Sequence, residues 1–268
     1  MKHIKLEIIA NDYQQEELVA MFDDYNATGF EQTDEKLIAY FTMENYANEE
    51  IEKILEGYAY EFSEVEERNW NEVWEQNFQP VVVDDFVGVR AHFHEPIKNV
   101  QHEIVITPKM SFGTGHHATT YMMMRQMREL DFTNKFVFDF GTGTGILAIL
   151  AEKLGAHKII AIDVDDWSIE NAKENFERND CSKIEVTLSS QIPDDSFDLI
   201  LANINRNVIL DYMPQLVKAL RKNAQILFSG LLVADENEIH SSATANGLSF
   251  AIKMERQGWL SLLYINEQ

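Results

Sequence analysis

Residues 135–150, KFVFDFGTGTGILAIL, constrain this chain more than any other stretch. An apolar run of strand length ends in three alternating glycines, Gly141, Gly143 and Gly145, and passes directly into an apolar helical segment. Glycine there lets the backbone turn sharply and lets a ligand approach without a Cβ in the way. A buried strand leaving through such a turn into a helix begins a βαβ unit, so a parallel sheet is expected around it. The periodicity that follows agrees. It predicts strands at 135–139, 158–162, 183–187, 197–201 and 224–229, with helices at 145–155, 166–178, 206–221 and 234–245. Upstream, VGVRAHF and HEIVITP read as strands and 119–130 as a helix. Two last strands, 248–255 and 259–265, hinge at Gln257-Gly258 and add a closing antiparallel hairpin to the α/β sheet.

The first third differs in charge and in pattern. Residues 1–78 hold 20 Asp and Glu against five Lys and Arg, a net of −15 within a chain total of −23. Such acidity repels phosphate backbones and argues against direct nucleic-acid binding; it would attract a basic partner, or serve only solubility. Strand alternation at 3–9 leads into an amphipathic helix at 12–26, with Leu18, Val19, Met21 and Phe22 as its apolar face. Strands at 30–33 and 36–42 follow, then a helix at 45–58 with Ile51, Ile54 and Leu55 inward, then a strand at 60–66. That order is the ferredoxin-like pattern, which by itself implies no function. In RNWNEVWEQNF, Trp70, Trp74 and Phe78 share one helix face, as a linker helix or a docking stripe, and Pro80 ends it. The expected divisions are therefore 1–67, a linker helix at 68–79, and 80–268. One cysteine, Cys181, excludes an internal disulfide and a Cys-cluster metal site. Charge interrupts the N-terminus too early for a signal peptide, and no apolar run approaches the roughly 20 residues of a membrane span. A cytoplasmic protein without membrane association is expected.

The glycine loop also discriminates between cofactors. Asp163 closes the next strand, 18 residues after Gly145, where a carboxylate can accept both hydroxyls of an adenosine ribose. Nicotinamide enzymes typically carry G-x-G-x-x-G with a helix N-terminus facing a pyrophosphate. Here the spacing is G-x-G-x-G, and Asp139 stands two residues ahead of it. A carboxylate beside the loop suits an amine or a sulfonium better than a phosphate, which favours S-adenosylmethionine. A second motif, LILANIN at 199–205, ends a predicted strand in polar amides. Ligands of open α/β sheets sit at such carboxyl ends, so Asn203 is placed either to meet a substrate or to cap the next helix. In methyl transfer to nitrogen, its amide oxygen would accept the amine N–H and hold the lone pair in line. A third motif, MSFGTGHHATT at 110–120, leads into a helix that Thr119 or Thr120 could cap. His116-His117 and His92-x-His94 lack a third ligand at a recognisable spacing, so no metal is expected. Met122, Met123 and Met124 read as core or pocket lining.

Together, FGTGHHATT (112–120), DFGTGTGILAI (139–149), AIDVDDWSIENAKENFERN (161–179) and LANIN (201–205) resemble a known family in order and spacing. These are the ribosomal protein methyltransferases that modify protein eleven of the large subunit. The FGTG…TT loop is peculiar to that family among class I methyltransferases, and WNEVWEQNFQP resembles its linker region. The resemblance implies a Rossmann-like catalytic domain that uses S-adenosylmethionine. It also implies an N-terminal domain that recognises the basic ribosomal protein, and repeated methylation of α-amino and lysine ε-amino groups. By position, Thr120, Gly141, Asp163 and Asn203 match the family's cofactor-binding residues, with Gly143 in the same loop. Phe112, Gly113 and His117 sit in the loop that would cover the donor, and His117 is a candidate proton acceptor. A monomer is expected. Departures are His116 and Ala118 for the usual Thr and Pro, Thr142 and Thr144 for Cys and Ser, and Asn205 for Leu. Asn205 adds a polar group near the acceptor. A methyltransferase for another amine, a nicotinamide oxidoreductase and a non-catalytic module that keeps the fold are the competing readings.

Overall fold

A computed structural model of the chain describes residues 2–23, 25, 27–33, 35–43, 46, 48–66, 78–108 and 115–268. The chain divides into two compact units, Met1–Val73 and Trp74–Gln268, and the division falls inside the predicted linker. The helix expected at 68–79, with Trp70 and Trp74, lies outside the described residues except for its end, where Phe78 is buried.

The first unit runs β1 (Lys2–Ile9), α1 (Asp12–Asp23), β2 (Gly29–Gln32), β3 (Lys36–Thr42), α2 (Asn48–Ile54) and β4 (Tyr60–Glu66). Its four strands pair antiparallel in the order β2-β3-β1-β4. Alternation sends Ile4, Leu6 and Ile8 of β1 and Leu37, Ala39 and Phe41 of β3 to one face, against Leu18, Phe22, Ile51 and Leu55. Both helices are shorter than expected. α1 stops at Asp23 because the amides of Tyr25 and Ala27 turn back onto the Phe22 carbonyl. After α2, Gly57 at φ 94° swings the chain towards β4. Met21 is 46% exposed, not inward. The buried stripe of α1 is Gln15, Leu18 and Phe22, and Gln15 satisfies its amide on the carbonyls of Ala10 and Thr33 at 2.8 Å each.

The second unit opens with a three-stranded sheet of β5 (Val81–Val83), β6 (Val87–Ala91) and β7 (His102–Ile106). Then follow α3 (Ala118–Met127), β8 (Phe136–Phe140), α4 (Ile146–Lys153), β9 (Lys158–Asp163), α5 (Asp166–Arg178) and β10 (Ile184–Leu188). The chain continues through β11 (Phe197–Asn203), α6 (Arg206–Lys218), β12 (Leu220–Leu232), α7 (Glu236–Ala245), β13 (Leu248–Arg256) and β14 (Trp259–Asn266). The seven-stranded sheet has the order β10-β9-β8-β11-β12-β14-β13. Strands β8 to β12 are parallel; β14 is antiparallel to both its neighbours. The hairpin turns at Gln257 and Gly258, both at positive φ. Alternation splits the apolar residues between two faces. Val137, Leu199, Leu201 and Leu227 face a core shared with α3, α4 and α5, and Phe138, Ile200 and Phe228 face one shared with α6. From β8 the chain winds outward through β9 and β10, then returns to β11 on the other side of β8. The carboxyl ends of β8 and β11 therefore flank the switch in strand order, the ordinary ligand crevice of such sheets.

Candidate active site

The glycine loop leaves β8 with Gly141, Gly143 and Gly145 at φ 76°, 54° and 79°, a region in which a side chain would be strained. The amides of Gly141 and Thr142 bond the Ile162 carbonyl at 3.0 and 2.9 Å, which ties the loop to the end of β9. There Asp163 accepts the Gly143 N–H on Oδ2 at 2.8 Å, and those of Val164 and Asp165 on Oδ1 at 2.8 and 3.1 Å. Three backbone donors fix this carboxylate and leave it acceptor capacity for hydroxyl groups. Asp139 lies behind the loop and is 1% exposed. Its Oδ2 accepts the Thr142 hydroxyl at 2.6 Å. Burial pushes its carboxyl up to about 7, against the Thr142 bond, with the nearby Asp163 charge adding to the rise. Gly145 at the start of α4 has no side chain to cap it. The Asp139 carboxylate lies near that helix start, with the Ala148 N–H among its partners.

On the other side of the switch, Asn203 ends β11 and is 8% exposed. Its Nδ2 donates to the Thr120 hydroxyl of α3 at 3.2 Å, and its buried Oδ1 has no hydrogen-bond partner among the described residues. Two motifs 83 positions apart thus meet at one amide. The cap of the helix after β11 is Asn205, whose Oδ1 accepts the Val208 N–H at 3.1 Å, so Asn203 does not serve as a cap. The polar group expected near the acceptor is therefore engaged at the start of α6. At α3 the cap is neither Thr119 nor Thr120 but His117, whose Nδ1 accepts the Thr119 N–H at 3.3 Å and lies 2.7 Å from its hydroxyl. The His117 ring meets Trp259 edge-on at 4.6 Å. Phe112 and Gly113 lie outside the described residues. Met122, Met123 and Met124 are fully buried, and Met123 and Met124 belong to the core between α3 and the sheet. His116 packs edge-on against Phe78 at 4.7 Å. Among the described residues no three His, Cys, Asp or Glu are grouped to hold a metal ion.

The sequence reading missed a ladder of amides along α5. Asn175 Oδ1 accepts the Thr107 N–H at 2.7 Å, and Asn171 Nδ2 donates to the Thr107 carbonyl at 3.1 Å. Asn179 takes the Val105 N–H at 3.0 Å and gives to its carbonyl at 2.6 Å. Asparagines at i, i+4 and i+8 thus satisfy β7 on the side away from β6 and hold Thr107 in place. The available signal was three Asn on one face of a helix, where Asn is a poor helix former.

A sequence profile described as ribosomal protein L11 methyltransferase (PrmA) matches residues 3–267. The chain belongs to the ribosomal protein L11 methyltransferase family. The L11 methyltransferase of Bacteroides fragilis is 34% identical over 259 residues, covering 92% of each chain. That of Porphyromonas gingivalis is 40% identical over 246 residues, covering 88% of this chain and 85% of its own. A crystal structure of the ribosomal protein L11 methylase of Lactobacillus delbrueckii subsp. bulgaricus is 30% identical with a TM-score of 0.66, covering 71% of this chain and all of that one. The large unit thus has the Rossmann-like sheet of the methyltransferases. Within this L11 methyltransferase family member, two departures have visible roles: Thr142 donates to Asp139 and Asn205 caps α6.

Proposed function

We propose that this chain transfers methyl groups from S-adenosylmethionine to the α-amino and lysine ε-amino groups of ribosomal protein L11. The observation that carries the reading is the buried, unpaired Oδ1 of Asn203 at the carboxyl end of β11, across the strand switch from the glycine loop. An unpaired buried acceptor at a ligand crevice is completed by an incoming donor, and an amine N–H is such a donor.

The residues fit the donor. Asp163, held by three amides, would take the ribose hydroxyls, and Gly141 and Gly143 would let the backbone approach the ligand. Thr120 would serve by orienting Asn203, and Phe112, Gly113 and His117 belong to the segment that would cover the donor. When bound, S-adenosylmethionine supplies a methyl group on a cationic sulfonium. The chain must deliver a neutral nitrogen to it, although a lysine with a pKa of about 10.4 arrives mostly charged. Burial beside a cation lowers that pKa and releases the proton. His117 is the candidate to take it, in the loop before α3, where its Nδ1 accepts the Thr119 N–H. To Asn203 Oδ1 we assign the task of aligning the amine through its remaining N–H.

The acidic N-terminal unit would recognise the basic ribosomal protein in the cytoplasm, with the enzyme acting as a monomer. Among the described residues no helix is long and apolar enough to cross a membrane. Intact-mass spectrometry of unmethylated large-subunit ribosomal proteins, incubated with this protein and S-adenosylmethionine, tests the reading. Several methyl-sized increments on L11 alone are expected. Increments on a different protein would move the substrate, and none at all despite donor binding would overturn the reading.

A further inference from the structure

Ile204 lies between the two halves of the site, and its surroundings are shaped by two glycines that are far apart in sequence. A Cβ built on Gly141, at φ 76°, would collide with Ile204 Cγ2. A Cβ built on Gly230, at φ 82°, would collide with the carbonyl oxygen and carbon of Ile204 and crowd its backbone nitrogen. Gly230 sits where the pairing of β12 with β14 shifts register between Ser229 and Leu231, so the strand bends where the Ile204 backbone passes. The flanking residues are pinned as well. Asn203 is bonded to Thr120, Asn205 caps α6, and the Ile204 side chain packs against the core on the α6 face of the sheet. One branched side chain thus fills the notch left by the first glycine of the donor loop, while its own backbone carries the acceptor amide one residue away.

We propose that Ile204 is a positioning residue for methyl transfer: its β-branch keys the glycine loop to Asn203, so that the donor and acceptor sides are held as one rigid body. The proposal rests on the methyltransferase reading above. It differs from plain core filling in what it requires. Core filling depends on side-chain volume, whereas the key depends on a methyl group attached at Cβ.

Two substitutions separate these. Ile204→Val keeps the branch and loses one carbon; Ile204→Leu keeps the volume and loses the branch. The readouts are kcat, KM for S-adenosylmethionine and for L11, and hydrogen exchange of the Gly141 and Thr142 amides in the ligand-free protein. For Ile204→Leu, kcat is expected to fall about tenfold, with the donor KM within about threefold. Exchange at Gly141 and Thr142 should rise about tenfold while the amides of Ile226 and Phe228 in β12 stay unchanged. Ile204→Val should stay within about twofold of the parent in every readout. Leu matching the parent, or Val losing more than Leu, would overturn the proposal. A parent protein that transfers no methyl group at all would sink the functional reading instead, and the exchange comparison would still decide whether Ile204 keys the loop.

Discussion

At Asn203 an amide is buried with one hydrogen-bonding atom unused, a state that costs about 1–3 kcal/mol in a folded protein. The reading that a substrate amine completes it makes Asn203→Ala a sharp test. We expect kcat to fall by about 10²–10³, as when one aligned hydrogen bond is removed from a reacting centre. Donor affinity by calorimetry should change only a few-fold; equal loss of both would make Asn203 chiefly a cofactor ligand. Asp139 carries a different prediction. Its carboxyl stands at about 7 when folded, against 3.8 ordinarily, chiefly because it is buried. Between those values the folded state holds a proton that the unfolded chain has released, so stability falls as pH rises through the window and the cost is complete above it. Asp139→Asn should therefore unfold in more urea than the parent at pH 8, by about 2–4 kcal/mol, and the gap should close towards pH 4. A gap independent of pH would show that burial does not hold this proton.

Elements, not single residues, place Thr107 and the start of α6. The glycine loop, Asp163 and Asn203 were legible because each ends a strongly apolar strand, where a polar or glycine residue stands out against its surroundings. The amide ladder was not, since Asn171, Asn175 and Asn179 look like ordinary exposed helix residues until β7 lies against them. Asn175→Leu leaves the Thr107 N–H without its partner, and should lower stability by about 1–3 kcal/mol in urea unfolding. Asn205, read from sequence as a polar group near the acceptor, has its Oδ1 engaged by the Val208 N–H. As the cap of α6 it should cost about 1 kcal/mol on replacement by Ala, with kcat within about twofold of the parent. A large kcat loss without a stability change would return it to the acceptor side.

Across the whole molecule the charge is lopsided, with residues 1–78 holding a net of −15 of the total −23. If that third meets a basic substrate, KM for L11 should rise several-fold between ~50 and ~300 mM salt while KM for S-adenosylmethionine stays flat. A salt-independent KM for the protein substrate would leave the acidity to solubility alone.

The alternation of strands and helices, the closing hairpin, and the loop and amide motifs can all be read from the chain alone. All of these are written locally, as hydrophobic period and glycine spacing. Tertiary structure alone decided that Thr120 reaches Asn203, that His117 and not a threonine caps α3, and that Ile204 fits between Gly141 and Gly230. Each of these joins residues from separate elements, and no local period records which side chains the return of β11 beside β8 will bring into contact.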